Sequence, residues 1–208
     1  MPVQTTISTL RHAHTQYNAE KRYAGTLDIS LSEAGIRDAR KAAAKLAQAK
    51  FDVVVTSMQK RAFETAQILA GDRVTIVRNK LCNERKFGVM EGLTWDDIQN
   101  LQPPILMITV GSDLHTVNPK GGEPFEEVWE RARKFRGFLF KEYFGSNILV
   151  VSHGVFLQMF HGVLRGLNCI ESLARYPANL ELCRFRFSGR RLVDENIVKL
   201  SEAVIFNW

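Results

Sequence analysis

Short β-branched apolar runs alternate along this chain with longer segments of helical period. That alternation constrains the fold more than any other feature. Val53-Val54-Val55 and Ile148-Leu149-Val150-Val151 are apolar at every position. Such runs suit strands buried on both faces, as in parallel sheets. Residues 5–10 and 74–77 are two further candidate strands. Ser32 is placed to cap a helix that carries Ile36, Ala39, Ala43, Leu46 and Ala47 on one face. Ser57 is expected to open a second helix, with Ala62, Ala66 and Leu69 aligned. Residues 124–143 and 155–164 read as two more helices. The C-terminal part reads as strands over 180–187 and 191–200 around a Ser188-Gly189 turn. Strands that alternate with helices predict an α/β class with a largely parallel sheet. Residues 87–123 contain Pro103-Pro104, Pro119 and Gly121-Gly122. They are predicted to be an irregular, lid-like insertion in one domain spanning 1–208.

Composition narrows the partners. Lys and Arg total 28 against 22 Asp and Glu, a net charge of +6. An excess of this size suits an anionic partner, either nucleic acid or a phosphorylated small molecule, or else a generally basic surface. An apolar share of 45% with 24% charged residues excludes a disordered or collagen-like chain. Cys82, Cys169 and Cys183 are odd in number and widely spaced, which argues for a reducing compartment. No basic segment followed by an apolar run opens the chain. No apolar stretch nears the roughly 18 residues that span a bilayer. A cytoplasmic protein without a membrane partner is expected.

In open α/β sheets, ligands bind beyond the carboxyl ends of the strands. Arg11-His12 follows the first strand, Thr56-Ser57 and Arg61 the second, and Ser152-His153-Gly154 the strand at Ile148. Two arginines and two histidines thus converge on one sheet edge. Arginine presents a planar fork that matches phosphate oxygens. Helix N-termini near Ser57 and Val155 are expected to add backbone donors. A neutral histidine can attack phosphorus through one ring nitrogen. Arg11 and Arg61 would depress the pKa of His12 and keep it neutral. Glu84, just past the third strand, is the best-placed acid for a leaving oxygen.

Four segments resemble the histidine phosphatase superfamily, in its phosphoglycerate mutase-like branch. Residues 9–18, Thr-Leu-Arg-His-Ala-His-Thr-Gln-Tyr-Asn, are similar to its Arg-His-Gly signature. Thr56-Ser57 with Arg61-Ala62 and Thr65-Ala66 resembles the second motif. Asn83-Glu84-Arg85 with Gly88 and Glu91-Gly92 resembles the third. Ser152-His153-Gly154 resembles the last. The resemblance runs from about residue 10 to 164. It implies a three-layer α/β/α fold and phosphoryl chemistry without metal or other cofactor. It makes His12 the phosphate acceptor, Glu84 the acid and then the base. Arg11, Arg61, His153 and Asn18 become phosphate-binding residues, with Thr15, Gly25 and Gly154 as further substrate contacts. The implied partner is a small anionic phosphorylated metabolite.

Rival readings attach to particular residues. Glu91 is a second carboxylate near Glu84, read as structural. His12, His14, His115, His153 and Glu84 could form a metal site, giving a metal-dependent hydrolase, but two fixed arginines would repel a divalent ion. His115 and His161 are otherwise read as ordinary residues. Arg184, Arg186 and Arg191 alternate with Phe185 and Phe187, which could suit a nucleic-acid surface, but a strand with one solvated face and no nucleic-acid partner is expected. Ala13 stands where the family carries Gly, the one feature favouring a non-catalytic phosphate-binding protein. Within the family, a phosphomonoester hydrolase is expected over a 2,3-bisphosphoglycerate-dependent phosphoglycerate mutase. No arginine lies between Gly92 and Glu123, and Val155 and Phe87 stand where polar residues are usual. Lys120 is the one candidate to replace the missing cations.

Overall fold

The computed structural model describes residues 2–111 and 113–200. Residues 1, 112 and 201–208 of the expected 1–208 domain lie outside the described residues. The chain runs β1 (Gln4–Arg11), α1 (Gln16–Ala19), α2 (Glu33–Lys45), β2 (Val53–Thr56), α3 (Lys60–Ala70) and β3 (Ile76–Arg78). It continues through α4 (Trp95–Gln99), a hairpin of β4 (Met107–Val110) and β5 (Asp113–Thr116), and α5 (Phe125–Glu142). Then come β6 (Asn147–Ser152), α6 (Gly154–Arg165), β7 (Glu181–Ser188) and β8 (Arg191–Lys199).

Six strands form one sheet in the order β3-β2-β6-β1-β7-β8. The first four are mutually parallel, and β7 and β8 are antiparallel. Side-chain alternation explains the continuous apolar runs. Val53, Val55, Ile148 and Val150 pack on one side, against Val128, Ala132 and Phe135 of α5 and Phe156 and Phe160 of α6. Val54, Leu149 and Val151 pack on the other, against Ala39 and Ala42 of α2 and Ala62, Ala66 and Leu69 of α3. The result is the expected three-layer α/β/α arrangement. Among the described residues, no helix is long and apolar enough to cross a membrane.

Some expectations shift. Helix α3 begins at Lys60 rather than Ser57, with Gln59 at its cap position. Ser57 is drawn away by a contact described below, and the Lys60 amide donates to Asp28 Oδ1 at 2.7 Å. The third strand runs to Arg78 because its register against Val54–Thr56 is set by pairing with β2. Residues 87–123 carry more order than Pro and Gly content suggested, holding α4 and the β4–β5 hairpin.

The loop after β1 is fastened to α2. Ser32 caps α2 by accepting from the Gly35 amide at 3.1 Å. Its own amide donates to the His14 carbonyl at 3.0 Å. A Cβ added to Gly35 would lie 2.0 Å from that carbonyl oxygen. Gly35→Ala is therefore expected to lose about 1–3 kcal/mol, the range for overpacking. The check is a lower urea midpoint at unchanged m-value.

Candidate active site

The parallel pairing of β1 with β6 places Arg11 opposite Ser152. The next residues, His12 and His153, emerge side by side. The His12 amide extends the ladder to the Ser152 carbonyl at 2.9 Å, and the two imidazole rings lie 5.2 Å apart. On the next strand Thr56 is level with Val151, so the segment carrying Ser57 and Arg61 leaves the sheet at the same edge. A cavity of about 140 Å³ opens there. Arg11, His12, Arg61 and Glu84 line it, as do Asn18, Thr15 and Gly25. His153 is fully buried behind His12.

His12 is held in one tautomer. Its Nδ1 lies 2.7 Å from the Ala13 carbonyl oxygen, which can only accept. The ring proton therefore sits on Nδ1 and the lone pair on Nε2. Burial pushes the pKa of His12 well below the ordinary histidine value, with Arg61 and then Arg11 adding to it. The sequence reading gave that role to the arginines; desolvation is the larger cause. His153 is lowered well below its usual value by burial first, then by Arg61. Its Nε2 is 2.6 Å from Ser57 Oγ, which also accepts from the Gln59 amide at 3.2 Å. The Ser57 hydroxyl hydrogen is then free to meet Nε2, leaving the His153 proton on Nδ1.

Three buried nitrogens here have no hydrogen-bond partner in the protein: Arg11 Nε, Arg61 Nε and His153 Nδ1. A buried donor without a protein partner can be met by an anion or a water that enters the cavity. Both outer nitrogens of Arg61 and one of Arg11 are anchored on carbonyls. Arg61 donates to Leu27 and Gly25, both at 2.9 Å, and Arg11 to Pro177 at 3.0 Å. Burial pulls Arg61 down to about 10, which leaves it charged at neutral pH.

Glu84 is seated by main-chain donors. Its Oε1 accepts from Arg85 at 2.8 Å and Phe156 at 3.1 Å, and its Oε2 from Val155 at 3.3 Å. The α6 amides expected to meet an anion thus bind this carboxylate. At α3 the Lys60 amide binds Asp28. Both helix-end expectations give way to carboxylates of the chain itself, which compete for the same positive end. Gln59 joins the two loops: it donates to the Gly25 carbonyl at 2.6 Å and accepts from the Glu84 amide at 2.9 Å. Glu91 is turned away from the cavity and accepts from Thr26 and Phe87, the structural role expected of it.

The smaller contacts divide. Asn18 lines the cavity, but its Oδ1 accepts from the Thr15 amide and hydroxyl in a capping box. Gly154 does not line it: a Cβ there would lie 1.9 Å from the Tyr176 hydroxyl, so Gly154 makes room for that ring. Ala13 is buried against Leu10 and Ala62 and needs no positive φ, so the Gly-to-Ala departure strains nothing. His14 does not line the cavity. Among the described residues, no three His, Cys, Asp or Glu side chains gather to hold a metal. Arg184 and Arg186 face solvent while Phe185 and Phe187 are buried in the core, so those rings present no stacking surface.

Other lining residues were missed in the sequence. Tyr176 stacks under the Arg11 guanidinium, 4.9 Å from its ring centre, and Asn179 Nδ2 donates to the His12 carbonyl at 2.7 Å. Both come from the loop before β7, where an Arg-Tyr-Pro-Ala-Asn run signals only a turn. His115, read as ordinary, lines the cavity, and so do Arg22, Tyr23 and Arg85.

Three histidines, His12, His153 and His161, are buried, and burial holds their pKa values well below the usual one. The unfolded chain takes protons on these residues below about pH 6.5 and the folded chain does not. Stability must therefore fall as pH drops below that value, by about 1.4 kcal/mol per pH unit for each proton taken up. Urea midpoints measured from pH 7 to 5 should show the decline, and His12→Asn should remove about one proton from its slope.

The histidine phosphatase superfamily (branch 1) sequence model matches residues 7–197. Phosphoglycerate mutase-like protein 4 of Arabidopsis thaliana is 31% identical over 164 residues, 77% of this chain and 68% of that protein. Phosphoserine phosphatase 1 of Hydrogenobacter thermophilus is 28% identical over 160 residues, 76% of this chain and 75% of that protein. Among solved structures, YhfR of Bacillus stearothermophilus superposes with a TM-score of 0.78 at 26% identity, covering 91% of this chain and 94% of its own. Fold, motif order and family match agree, and the chain belongs to the histidine phosphatase superfamily, branch 1.

Proposed function

We propose that this protein is a phosphatase of small phosphorylated metabolites that works through a phosphohistidine on His12. The observation that carries this reading is the locked His12 tautomer: Nδ1 is tied to the Ala13 carbonyl, so Nε2 carries a lone pair beside Arg11, Arg61 and His153. In the first step Nε2 bonds to phosphorus and the ester P–O bond breaks. Glu84 gives its proton to the leaving oxygen. In the second, water attacks phosphorus, the Nε2–P bond breaks, and Glu84 takes the water's proton. Arg11, Arg61 and His153 stabilise the charge on the transferring oxygens in both steps. Residues 87–123 serve as the lid and set the choice of alcohol.

Hydrolysis is favoured over a mutase by the walls of the cavity. A mutase must also grip a carboxylate and a second phosphate. Of the further cations that line this cavity, Arg85 is spent on the carbonyls of Thr116, Val117 and Glu123. Arg22 is held by Glu20 and the Gly92 carbonyl. Lys120 is exposed and does not line the cavity. Phe87 and Val155 do line it, with apolar surface. The phosphoserine phosphatase relative supports a hydrolase, while the mutase-like relative supports only the shared phosphoryl step.

Two measurements test this reading. Brief incubation with a phosphomonoester, followed by mass spectrometry without acid, should find phosphate on the His12 peptide. His12→Ala should lose about 10³-fold or more in kcat; full turnover by that variant would refute the mechanism. Glu84→Gln should slow alkyl phosphates about 10²-fold or more and an aryl ester with a low-pKa phenol far less, because only the poor leaving group needs the proton. Equal losses on both esters would move the acid elsewhere. Supplying 3-phosphoglycerate with a trace of 2,3-bisphosphoglycerate should release phosphate faster than it forms 2-phosphoglycerate.

A further inference from the structure

His115 sits on β5 in the lid hairpin, 7% exposed, with its ring edge-on to Phe125 at 5.9 Å. It lines the same cavity as His12 and Glu84. Its Nε2 is buried without a hydrogen-bond partner in the protein. With Nε2 unpartnered, the neighbouring Leu173 backbone carbonyl, an acceptor, favours the proton on Nδ1. Nε2 is then a lone-pair acceptor, and burial favours this neutral form.

The hairpin that carries His115 is not free to drift. Arg85, the residue after Glu84, donates to the Thr116 carbonyl at 2.8 Å and the Val117 carbonyl at 3.0 Å. Arg85 is fully buried, and its guanidinium lies 3.9 Å from the Phe125 ring centre. One loop therefore holds the acid and pins the strand bearing His115. The alcohol of a bound ester must leave past Glu84, into walls formed by Tyr23, Phe87, Leu114 and Phe125. Asp113 also lines the cavity, and the His115 nitrogen is an acceptor there that has no hydrogen-bond partner in the protein.

Resting on the phosphatase reading, we propose that His115 is a specificity-determining residue whose Nε2 accepts a hydrogen bond from the alcohol portion of the substrate. Preferred substrates are small phosphomonoesters whose alcohol carries a second hydroxyl or a protonated amine. A buried acceptor left unpaired by an analogue lacking the donor penalises that analogue.

The test is kcat/KM of the full chain on matched esters: glycerol 3-phosphate against propyl phosphate, and phosphoethanolamine against ethyl phosphate. The donor-bearing ester of at least one pair should be favoured about tenfold or more. A preference in one pair alone identifies the donor as hydroxyl or ammonium. His115→Phe should bring that ratio near one, while His115→Gln, which keeps an acceptor, should retain most of it. Equal kcat/KM within both pairs for the unmodified protein overturns the proposal, and that result does not depend on any variant folding. An undiminished ratio in a folded His115→Phe variant overturns it as well. Hydrolysis without preference refutes only this role. Failure to hydrolyse any ester, with no phosphate trapped on His12, refutes the phosphatase reading and this role with it.

Discussion

The parallel register between β1 and β6 is the constraint on which the site depends. It sets His12 beside His153 and carries Arg11 to the same edge, where the segment after β2 delivers Arg61. Gathering these groups below the surface is costly, since a buried guanidinium loses its hydration. The chain offsets that loss with main-chain carbonyls from residues 25, 27 and 177. Those anchors use both outer nitrogens of Arg61 and one of Arg11, and neither Nε has a partner in the protein. The arginines are thereby fixed in direction before any anion arrives, which is the preorganisation that electrostatic stabilisation requires.

Glu84 shows the complementary arrangement. A carboxylate beside cations would be expected to collapse onto one of them in an ion pair. Here three backbone amides hold it instead, two of them from the first turn of α6. Glu84 is kept out of an ion pair with Arg11 or Arg61 although it shares their cavity. Ser152 Oγ, donating to the Cys82 carbonyl at 2.6 Å, and Arg131, donating to the Leu81 and Asn83 carbonyls at 2.8 Å, lock the segment that carries it. Packing of α5 against the sheet, through Arg131, thus reaches the Glu84 loop.

The parts legible in the sequence are those fixed by local pattern and sheet topology. Uninterrupted runs such as Val53-Val54-Val55 can be buried only between two helical layers. Residues directly after such strands have one edge at which to gather, so Arg11, His12, Arg61 and His153 were readable together. The partners that orient them were not. Gln59, Tyr176 and Asn179 act across separations of 25 residues or more. No periodicity encodes those distances. The helix-end donors at Val155 were misassigned for a related reason: sequence shows a free helix end, and only the folded chain shows that Glu84 already occupies it. His115 lay hidden because the apolar run before it, residues 105–110, signals a strand without showing which face its partner turns to the cavity.

Strand β5 pairs His115 with Ile108 across the hairpin. Side chains on a ribbon alternate in direction, so a slip of one residue would turn the histidine to the opposite face. His12 and His153 follow strands of a different sheet, Arg61 lies on α3, and none of the three belongs to the hairpin. Insertions or deletions at the Gly111 turn would therefore exchange one cavity wall for another while the edge of the main sheet stayed in place. Hairpin register can thus reshape the cavity without altering the main sheet, and Arg85, bonded to the Thr116 and Val117 carbonyls, is the point at which such a change would reach the Glu84 loop.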